Sequence, residues 1–403
     1  MAKASAQEQL DVLADQCVDV IARDELRARL EKGRPLRVKL GIDPSGPLLH
    51  LGHAVVLRKL RQFQDFGHEA ILIVGDFTAQ IGDPTGMTNA RLPRTAEQIR
   101  ADMRTYEQQA GAILDMKRAA VKYNSEWLAR LSFADVIGLA AKLTVARMLE
   151  RDDFTKRFQS NAPIGLHEFL YPLTVAYDSV MLRADVELGG SEQLFNLMLG
   201  RRLQEEFKQE AQICMTLPIL EGTDGVQRMG KSLNNYIALR DEPQQMFGKV
   251  MSLPDTLITR YFRLATTLPR RDNEHLAAEL ERGTLSPRDA KVRLAREIVA
   301  LYHGDNAANA AQQHFEKTVV RKELPDKMPT HDLSSADAEA PIGKLLVLVG
   351  WASSNREAQR LVQQGGIRVD GVRVDDVRHA ETSWNGKVLQ KGNHQFVRLV
   401  VSA

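Results

Sequence analysis

Residues 70–75 read Ala-Ile-Leu-Ile-Val-Gly, an apolar run with no polar alternation. A strand with one face in water alternates, whereas one that is apolar throughout is covered on both faces, as in parallel sheets packed between helices. Upstream, Val55, Val56, Leu60 and Phe63 give residues 53–65 one apolar helical face, and a shorter hydrophobic stretch occupies 36–41. Strand, helix and strand at this spacing predict a βαβ unit, and so an α/β fold built on a parallel sheet.

The chain has 403 residues, enough for two or three domains. Residues 9–32 carry helical periodicity that stops at Gly33 and Pro35. Residues 95–160 read mostly as helix (95–117, 133–143, 144–151) with a short strand at 120–123. This block interrupts the βαβ pattern and reads as an insertion. A helix at 166–177, a strand at 184–188, a tight turn at Gly189-Gly190-Ser191 into a helix at 192–206, and a last core strand at 213–215 follow. Helices fill 243–320. Residues 323–340 lack periodicity and are rich in Pro, Ser and Asp, which predicts a linker. Beyond it, helices at 342–349 and 354–364 precede strands at 367–369, 372–374 and 396–401, with turns at Asp370-Gly371 and Asn385-Gly386. The expected division is 1–235, 236–322, the linker 323–340, and 341–403.

Lys and Arg number 54 against 52 Asp and Glu, so the whole-chain charge names no partner. From Pro341 onward the count is nine against five, and that local excess makes the C-terminal piece the better candidate for a polyanion. Two cysteines, Cys17 and Cys214, permit neither a disulfide framework nor metal-ligand spacing. No stretch approaches 18 apolar residues and no N-terminal apolar run precedes the first helix, so no membrane association and a cytoplasmic location are expected.

Two segments carry chemistry. His50-Leu51-Gly52-His53 follows a strand and opens a helix, where backbone N–H groups and the helix dipole favour an anion. Two imidazoles one turn apart add donors, and Gly52 lets a nucleotide approach the backbone. Alone, the pair reads first as two ordinary surface or core histidines. About 175 residues later, Arg228-Met229-Gly230-Lys231-Ser232 forms a basic loop whose long cation can follow a pyrophosphate as its charge grows in the transition state. Alone, that is a solvated turn. Together they suit the phosphates of ATP. P-loop, GxGxxG and GxSxG motifs are absent, and His167-Glu168-Phe169-Leu170-Tyr171 lacks the second histidine of a zinc protease helix.

In this order and spacing, the two segments resemble the HIGH and KMSKS signatures of class I aminoacyl-tRNA synthetases. The loop departs from the signature at Arg228 and Gly230 and keeps its second lysine as Lys231. The wider resemblance is to the bacterial tyrosyl-tRNA synthetases. Asp43-Pro44-Ser45, Gly75-Asp76-Phe77, Ile81-Gly82-Asp83-Pro84-Thr85-Gly86, Tyr171-Pro172, Ala176-Tyr177-Asp178-Ser179 and Leu188-Gly189-Gly190-Ser191-Glu192-Gln193 are similar to that family's blocks, and Lys39 stands where another branch has a tyrosine near the substrate phenol. The resemblance implies a Rossmann-like parallel-sheet catalytic domain with a helical insertion, an α-helical anticodon-binding domain and a small α+β RNA-binding domain. It implies ATP, L-tyrosine and tRNA(Tyr) as substrates, Mg²⁺ accompanying ATP, no tightly bound cofactor and a homodimer.

The resemblance also implies roles. His50, His53, Arg228 and Lys231 are the catalytic set, neutralising charge on the departing pyrophosphate. Gly41, Asp43, Ser45, Gly52, Gly190, Glu192 and Ser232 complete the ATP site with His50, His53 and Lys231. Tyrosine is placed by Asp83 and Tyr171 at its ammonium group, Asp178 at its phenol, Gln193 at its carboxylate, and Asp43 beneath it. A carboxylate facing the phenol would reject phenylalanine by about 10⁴–10⁵-fold. Val175 stands where the family has a glutamine that touches the ammonium, and removing such an acceptor costs ~1.5–3 kcal/mol if nothing replaces it. Glu192 replaces an aspartate and is one methylene longer. A paralogue for another aromatic amino acid, a small HxGH nucleotidyltransferase and a non-catalytic RNA-binding relative are the competing readings. Residues 341–403 resemble the small RNA-binding domain of ribosomal protein S-four, with Asn355, Arg356 and Arg360 directed at RNA. The insertion resembles the family's connective segment, which implies that Ala146–Arg151 and Lys156-Arg157 lie on a dimer and tRNA surface.

Overall fold

The computed structural model describes residues 4–44, 46–84, 95–320, 328–392 and 395–402. Ser45, Thr85-Gly86 and residues 321–327, which include the start of the expected linker, lie outside these. The chain divides into two compact units, 1–241 with 249–294, and 242–248 with 295–403.

The first unit is built on a six-stranded sheet of β1 (Asp19–Ile21), β2 (Arg37–Ile42), β3 (Glu69–Val74), β4 (Ala119–Tyr123), β5 (Val186–Gly190) and β6 (Ile213–Leu217), in the order β1-β6-β5-β2-β3-β4. β2 through β6 run parallel, and β1 closes the edge antiparallel to β6. The apolar run is β3, at the second position from one edge. Ile71 and Ile73 pack with Trp127, Leu128 and Leu182, which explains its lack of alternation. From β2 the chain winds outward through β3 and β4, then crosses to β5 and β6 on the other side. The order therefore reverses between β2 and β5, and the crevice beyond their carboxyl ends is where ligands bind in sheets of this kind.

Three expectations are corrected. Residues 9–32 are two helices, Ala6–Ala14 and Arg23–Glu31, separated by β1. The three-residue strand has no pattern of its own, and its identity comes from pairing with Cys214–Thr216, about 200 residues away. Residues 95–117 break into Ala96–Met103 and Tyr106–Ala110, and the short strand at 119–123 is β4, a member of the main sheet rather than part of an insertion. The 166–177 helix begins as a 3₁₀ turn, Leu166–Phe169, and continues as Leu170–Leu182. Residues 249–294 pack with this unit: Arg58 donates to the Leu264 carbonyl at 2.6 Å, and the Tyr261 hydroxyl to the Glu221 carbonyl at 2.5 Å.

The second unit holds a five-stranded sheet of β7 (Thr330–Leu333), β8 (Ile367–Val369), β9 (Val372–Arg373), β10 (Val388–Lys391) and β11 (Gln395–Val401), in the order β7-β11-β10-β8-β9. Trp384, Ile342, Leu345, Leu346, Val362, Ile367 and Leu399 form its core with the helices Ile342–Leu348 and Asn355–Gln363. Asp370 and Gly371 both have positive φ, 48° and 84°, the backbone of a tight hairpin turn between β8 and β9. The expected linker contributes β7, which pairs in parallel with β11. Among the described residues no helix is long and apolar enough to cross a membrane.

Candidate active site

The helix Leu51–Asp65 starts beside the end of β2 with His50 as its N-cap residue. The His50 and His53 rings lie 3.9 Å apart, centre to centre. His53 Nδ1 accepts from the His50 backbone N–H at 3.2 Å, which leaves the His53 proton on Nε2. Gly52 sits where a methyl group would come within 3.0 Å of the His50 ring, so its lack of a side chain keeps that ring in place. Burial first, then the charge of Lys231, pushes His53 down to about 3. Burial, His53, Lys231 and Arg228 push His50 well below its usual value. Both rings are therefore neutral. A neutral imidazole still carries one N–H that can donate to an anion, so the role expected of the pair at phosphate is open to it as hydrogen bonding rather than as full charge. His50 Nδ1 is buried without a hydrogen-bond partner.

The lysine loop reaches the same place. Residues 237–239 pair with 49–51: Leu51 N–H donates to the Ile237 carbonyl and Leu239 N–H to the Leu49 carbonyl, each at 3.0 Å, around an antiparallel His50–Ala238 bridge. Lys231 Nζ donates to the Gly46 carbonyl at 2.9 Å, and Tyr106 OH to the same carbonyl at 2.6 Å. Gln109 holds the loop from beneath, accepting from Leu49 N–H at 2.7 Å and donating to the Pro47 carbonyl at 2.9 Å. The buried Asn235 shapes the lysine loop, accepting from Gly230 N–H at 2.8 Å and donating to Asp224 at 2.7 Å. Sequence reading missed Tyr106, Gln109 and Asn235, which reach Gly46, Pro47 and Gly230 only through the fold. Arg228 and Ser232 are exposed, and Gly41 has open space where a side chain would project.

The helix Leu170–Leu182 presents Tyr171, Val175 and Asp178 at intervals of four and three residues, which places them on one face. Asp178 is buried and accepts from Trp127 Nε1 at 2.8 Å and Asn124 Nδ2 at 3.2 Å. Its carboxyl is raised to about 7, by burial above all, against Lys39, Trp127 and Asn124. Lys39 on β2 lies in register with Glu187 on β5, their charged atoms 3.0 Å apart and buried, and it also donates to the Val175 carbonyl at 3.3 Å. Asp43 accepts from Thr78 Oγ1 at 2.8 Å and from Tyr171. Burial, with Asp83 and Asp178 adding, raises it to about 7. A methyl group on Gly75 would overlap Asp43 Oδ1 and Thr78 Oγ1.

Asp83 accepts from Arg151 at 3.1 Å and from Gln193 Nε2 at 2.9 Å. Arg151 and Arg157 were expected on an outer surface, yet both are buried: Arg157 makes a two-point pair with Glu168 at 2.7 and 2.9 Å. Arg151 meets its neighbour Asp153 and also Asp83, a carboxylate 68 residues away that the fold brings to it. At the end of β5, a methyl group on Gly190 would overlap the Glu192 carboxylate. Glu192 is raised, first by desolvation in the crevice, while Arg228 opposes the rise. In the second unit Asn355, Arg356 and Arg360 are exposed on the helix Asn355–Gln363. Among the described residues no group of three or more His, Cys, Asp or Glu could hold a metal ion.

Residues 31–320 match the family model for tRNA synthetases class I (W and Y), and residues 320–397 match a tyrosine–tRNA ligase C-terminal domain, which takes in the segment expected as a linker. The tyrosine–tRNA ligase of Thermotoga maritima is 52% identical over 98% of this chain and 97% of its own length. That of Moorella thermoacetica is 49% identical over 97% and 95%. A crystal structure of a tyrosyl-tRNA synthetase complexed with L-tyrosine from Archaeoglobus fulgidus is 25% identical, has a TM-score of 0.64, and covers 76% of this chain and all of its own.

Proposed function

We propose, because the chain belongs to the class I tRNA synthetases of the tryptophan and tyrosine branch, that its reaction is tyrosine–tRNA ligation. Tyrosine and ATP give tyrosyl-adenylate and pyrophosphate; tyrosyl-tRNA and AMP follow. In the first step a tyrosine carboxylate oxygen bonds to the α-phosphorus as the bond to the pyrophosphate oxygen breaks. In the second, a ribose hydroxyl at the 3′ end of tRNA(Tyr) attacks the activated carbonyl and AMP leaves. The observation that carries this reading is the meeting of His50, His53 and Lys231 around residues 46–49, beyond the carboxyl end of β2.

In this reading, the neutral imidazoles donate to phosphate oxygens. Lys231 leaves the Gly46 carbonyl to follow the pyrophosphate, with Arg228 beside it. Positioning and electrostatics supply the rate, as in other transfers at phosphorus. Gly41, Asp43, Ser45, Gly52, Gly190, Glu192 and Ser232 form the rest of the nucleotide site. Asp83 and Tyr171 hold the ammonium, Asp178 the phenol and Gln193 the carboxylate, with Val175 flanking them. The described donor set does not form a metal cage, so Mg²⁺ would arrive on the ATP phosphates. The helices of 236–322 and the basic 341–403 segment, with Asn355, Arg356 and Arg360, are assigned to tRNA, and the cytoplasm is the corresponding location. Phe133, Ile137, Val145, Phe158 and Leu166, all exposed, are assigned to a homodimer interface. Sedimentation of the intact protein should give a dimer that Phe158→Glu dissociates. ATP–pyrophosphate exchange across the twenty amino acids tests the function. Tyrosine alone should support it, and exchange with another amino acid, or none, would overturn the reading.

A further inference from the structure

Arg151 has an unusual set of neighbours for a residue just before a surface helix. Its side chain is 5% exposed. One guanidinium nitrogen donates to Asp83 at 3.1 Å, Nε faces Asp153 at 2.8 Å, and the third nitrogen lies 3.5 Å from Asn196 Oδ1. The guanidinium also covers the Phe154 ring at 5.4 Å, and that ring is fully buried against Phe169. The far side of Arg151 is thus anchored, and the near side reaches a carboxylate of the crevice. Asn196 returns to the same carboxylate: it donates to Gln193 Oε1 at 2.7 Å, and Gln193 donates to the second oxygen of Asp83. Both Asp83 oxygens are therefore oriented by one connected set of side chains whose fixed point is Arg151.

From this geometry we propose that Arg151 is a positioning residue for amino acid selection, aiming the Asp83 carboxylate at the substrate's ammonium group. The proposal rests on the reading that Asp83 receives that ammonium. It competes with a simple electrostatic alternative of opposite sign. A cation 3.1 Å from Asp83 repels an incoming ammonium, so on charge alone its removal would tighten binding. Positioning predicts the reverse, because a carboxylate with one oxygen released swings away from its place, and an ångström of misplacement costs about 100-fold.

Two competitive probes of the tyrosine site separate these outcomes. Tyramine has the phenol and the ammonium, while 3-(4-hydroxyphenyl)propionate has the phenol and a carboxylate but no ammonium. In the full-length protein, Arg151→Ala should weaken tyramine binding by about 100-fold and leave the propionate within about threefold. Lysine keeps the charge but cannot span Asp83, Asp153 and Asn196 together. Arg151→Lys should weaken tyramine by about tenfold, and it carries the test if the alanine variant does not fold. For tyrosine itself the loss should appear in KM more than in kcat. Equal weakening of both probes would reduce Arg151 to a structural residue, and unchanged or tighter tyramine binding would establish the electrostatic alternative; either overturns the proposal. Asp83→Asn is the control. If it leaves tyramine unaffected, the assignment of the ammonium to Asp83 fails, a result distinct from failure at Arg151 alone.

Discussion

A carboxylate accepts a phenol O–H most strongly when it is ionised, and burial works against ionisation. Asp178 sits at about 7, and Asp43 beside the same crevice also near 7. Below that pH Asp178 carries a proton, and in the proposed reading it would meet the substrate phenol only as the weaker, neutral acceptor. Capture of tyrosine, read as kcat/KM in pyrophosphate exchange, should therefore rise with pH through about 7. Trp127→Phe keeps an aromatic ring against Ile71 and Ile73 but removes a donor that favours the anion. It should move the limb upward by about one unit, and a limb that stays in place would mean that Asp178 is not its source. Lys231→Ala should slow adenylate formation by about 10²–10³-fold with tyrosine affinity little changed, and an unaltered single-turnover rate would remove the loop from the chemistry. Asp178, Asp83, Tyr171 and Lys231 could be singled out from the chain because each stands in a recognisable block. The buried Lys39–Glu187 pair, the Trp127 donor and the inward turn of Arg151 could not. Each depends on a partner that the sheet, or packing over the sheet, brings from far along the chain.

At the scale of elements, the distinction is between those with an internal signature and those defined by what they pair with. β3 and the helix Leu51–Asp65 announce themselves through apolar run and apolar face, and they lie where the pattern puts them. β1 and β7 are short, mixed in composition and visible only once β6 and β11 are in place. The turn after β3 belongs to a third kind, in which the end of an element is shaped by the site. Gly75 closes β3 against Asp43 and Thr78 with no room for a side chain. Gly75→Ala should push the Asp43 carboxylate out of position. Overpacking of this kind costs about 1–3 kcal/mol, so a lowered melting temperature and a loss of exchange activity of at least about tenfold are expected together. A variant with full exchange activity would show that Asp43 tolerates displacement and has no close part in the site.

For the whole molecule, the question is which part of the chain reads tRNA and where it can be separated. Sequence pattern suggests a cut after residue 340, because 323–340 resembles a linker. β7 makes that the wrong place: Thr330–Leu333 lies beside β11 in parallel register, and its partner would be deleted. A protein ending at 340 would carry an orphaned strand with unpaired backbone donors and acceptors, which favours self-association. One ending at 320 removes the whole sheet. The shorter protein should therefore behave better in solution than the longer, an ordering that counting deleted residues would not give. It should retain ATP–pyrophosphate exchange, because His50, His53, Lys231 and the crevice all belong to the first unit. Its charging of tRNA should weaken and become less sensitive to salt, since every RNA phosphate that is no longer neutralised lowers the slope of log affinity against log salt by about one unit. Parallel titrations of both activities from 50 to 200 mM salt (roughly the range in which phosphate neutralisation is felt) would read this out. Equal loss of exchange and charging would mean that the C-terminal unit supports the catalytic one. Unchanged charging with an unchanged slope would mean that its exposed arginines meet something other than tRNA.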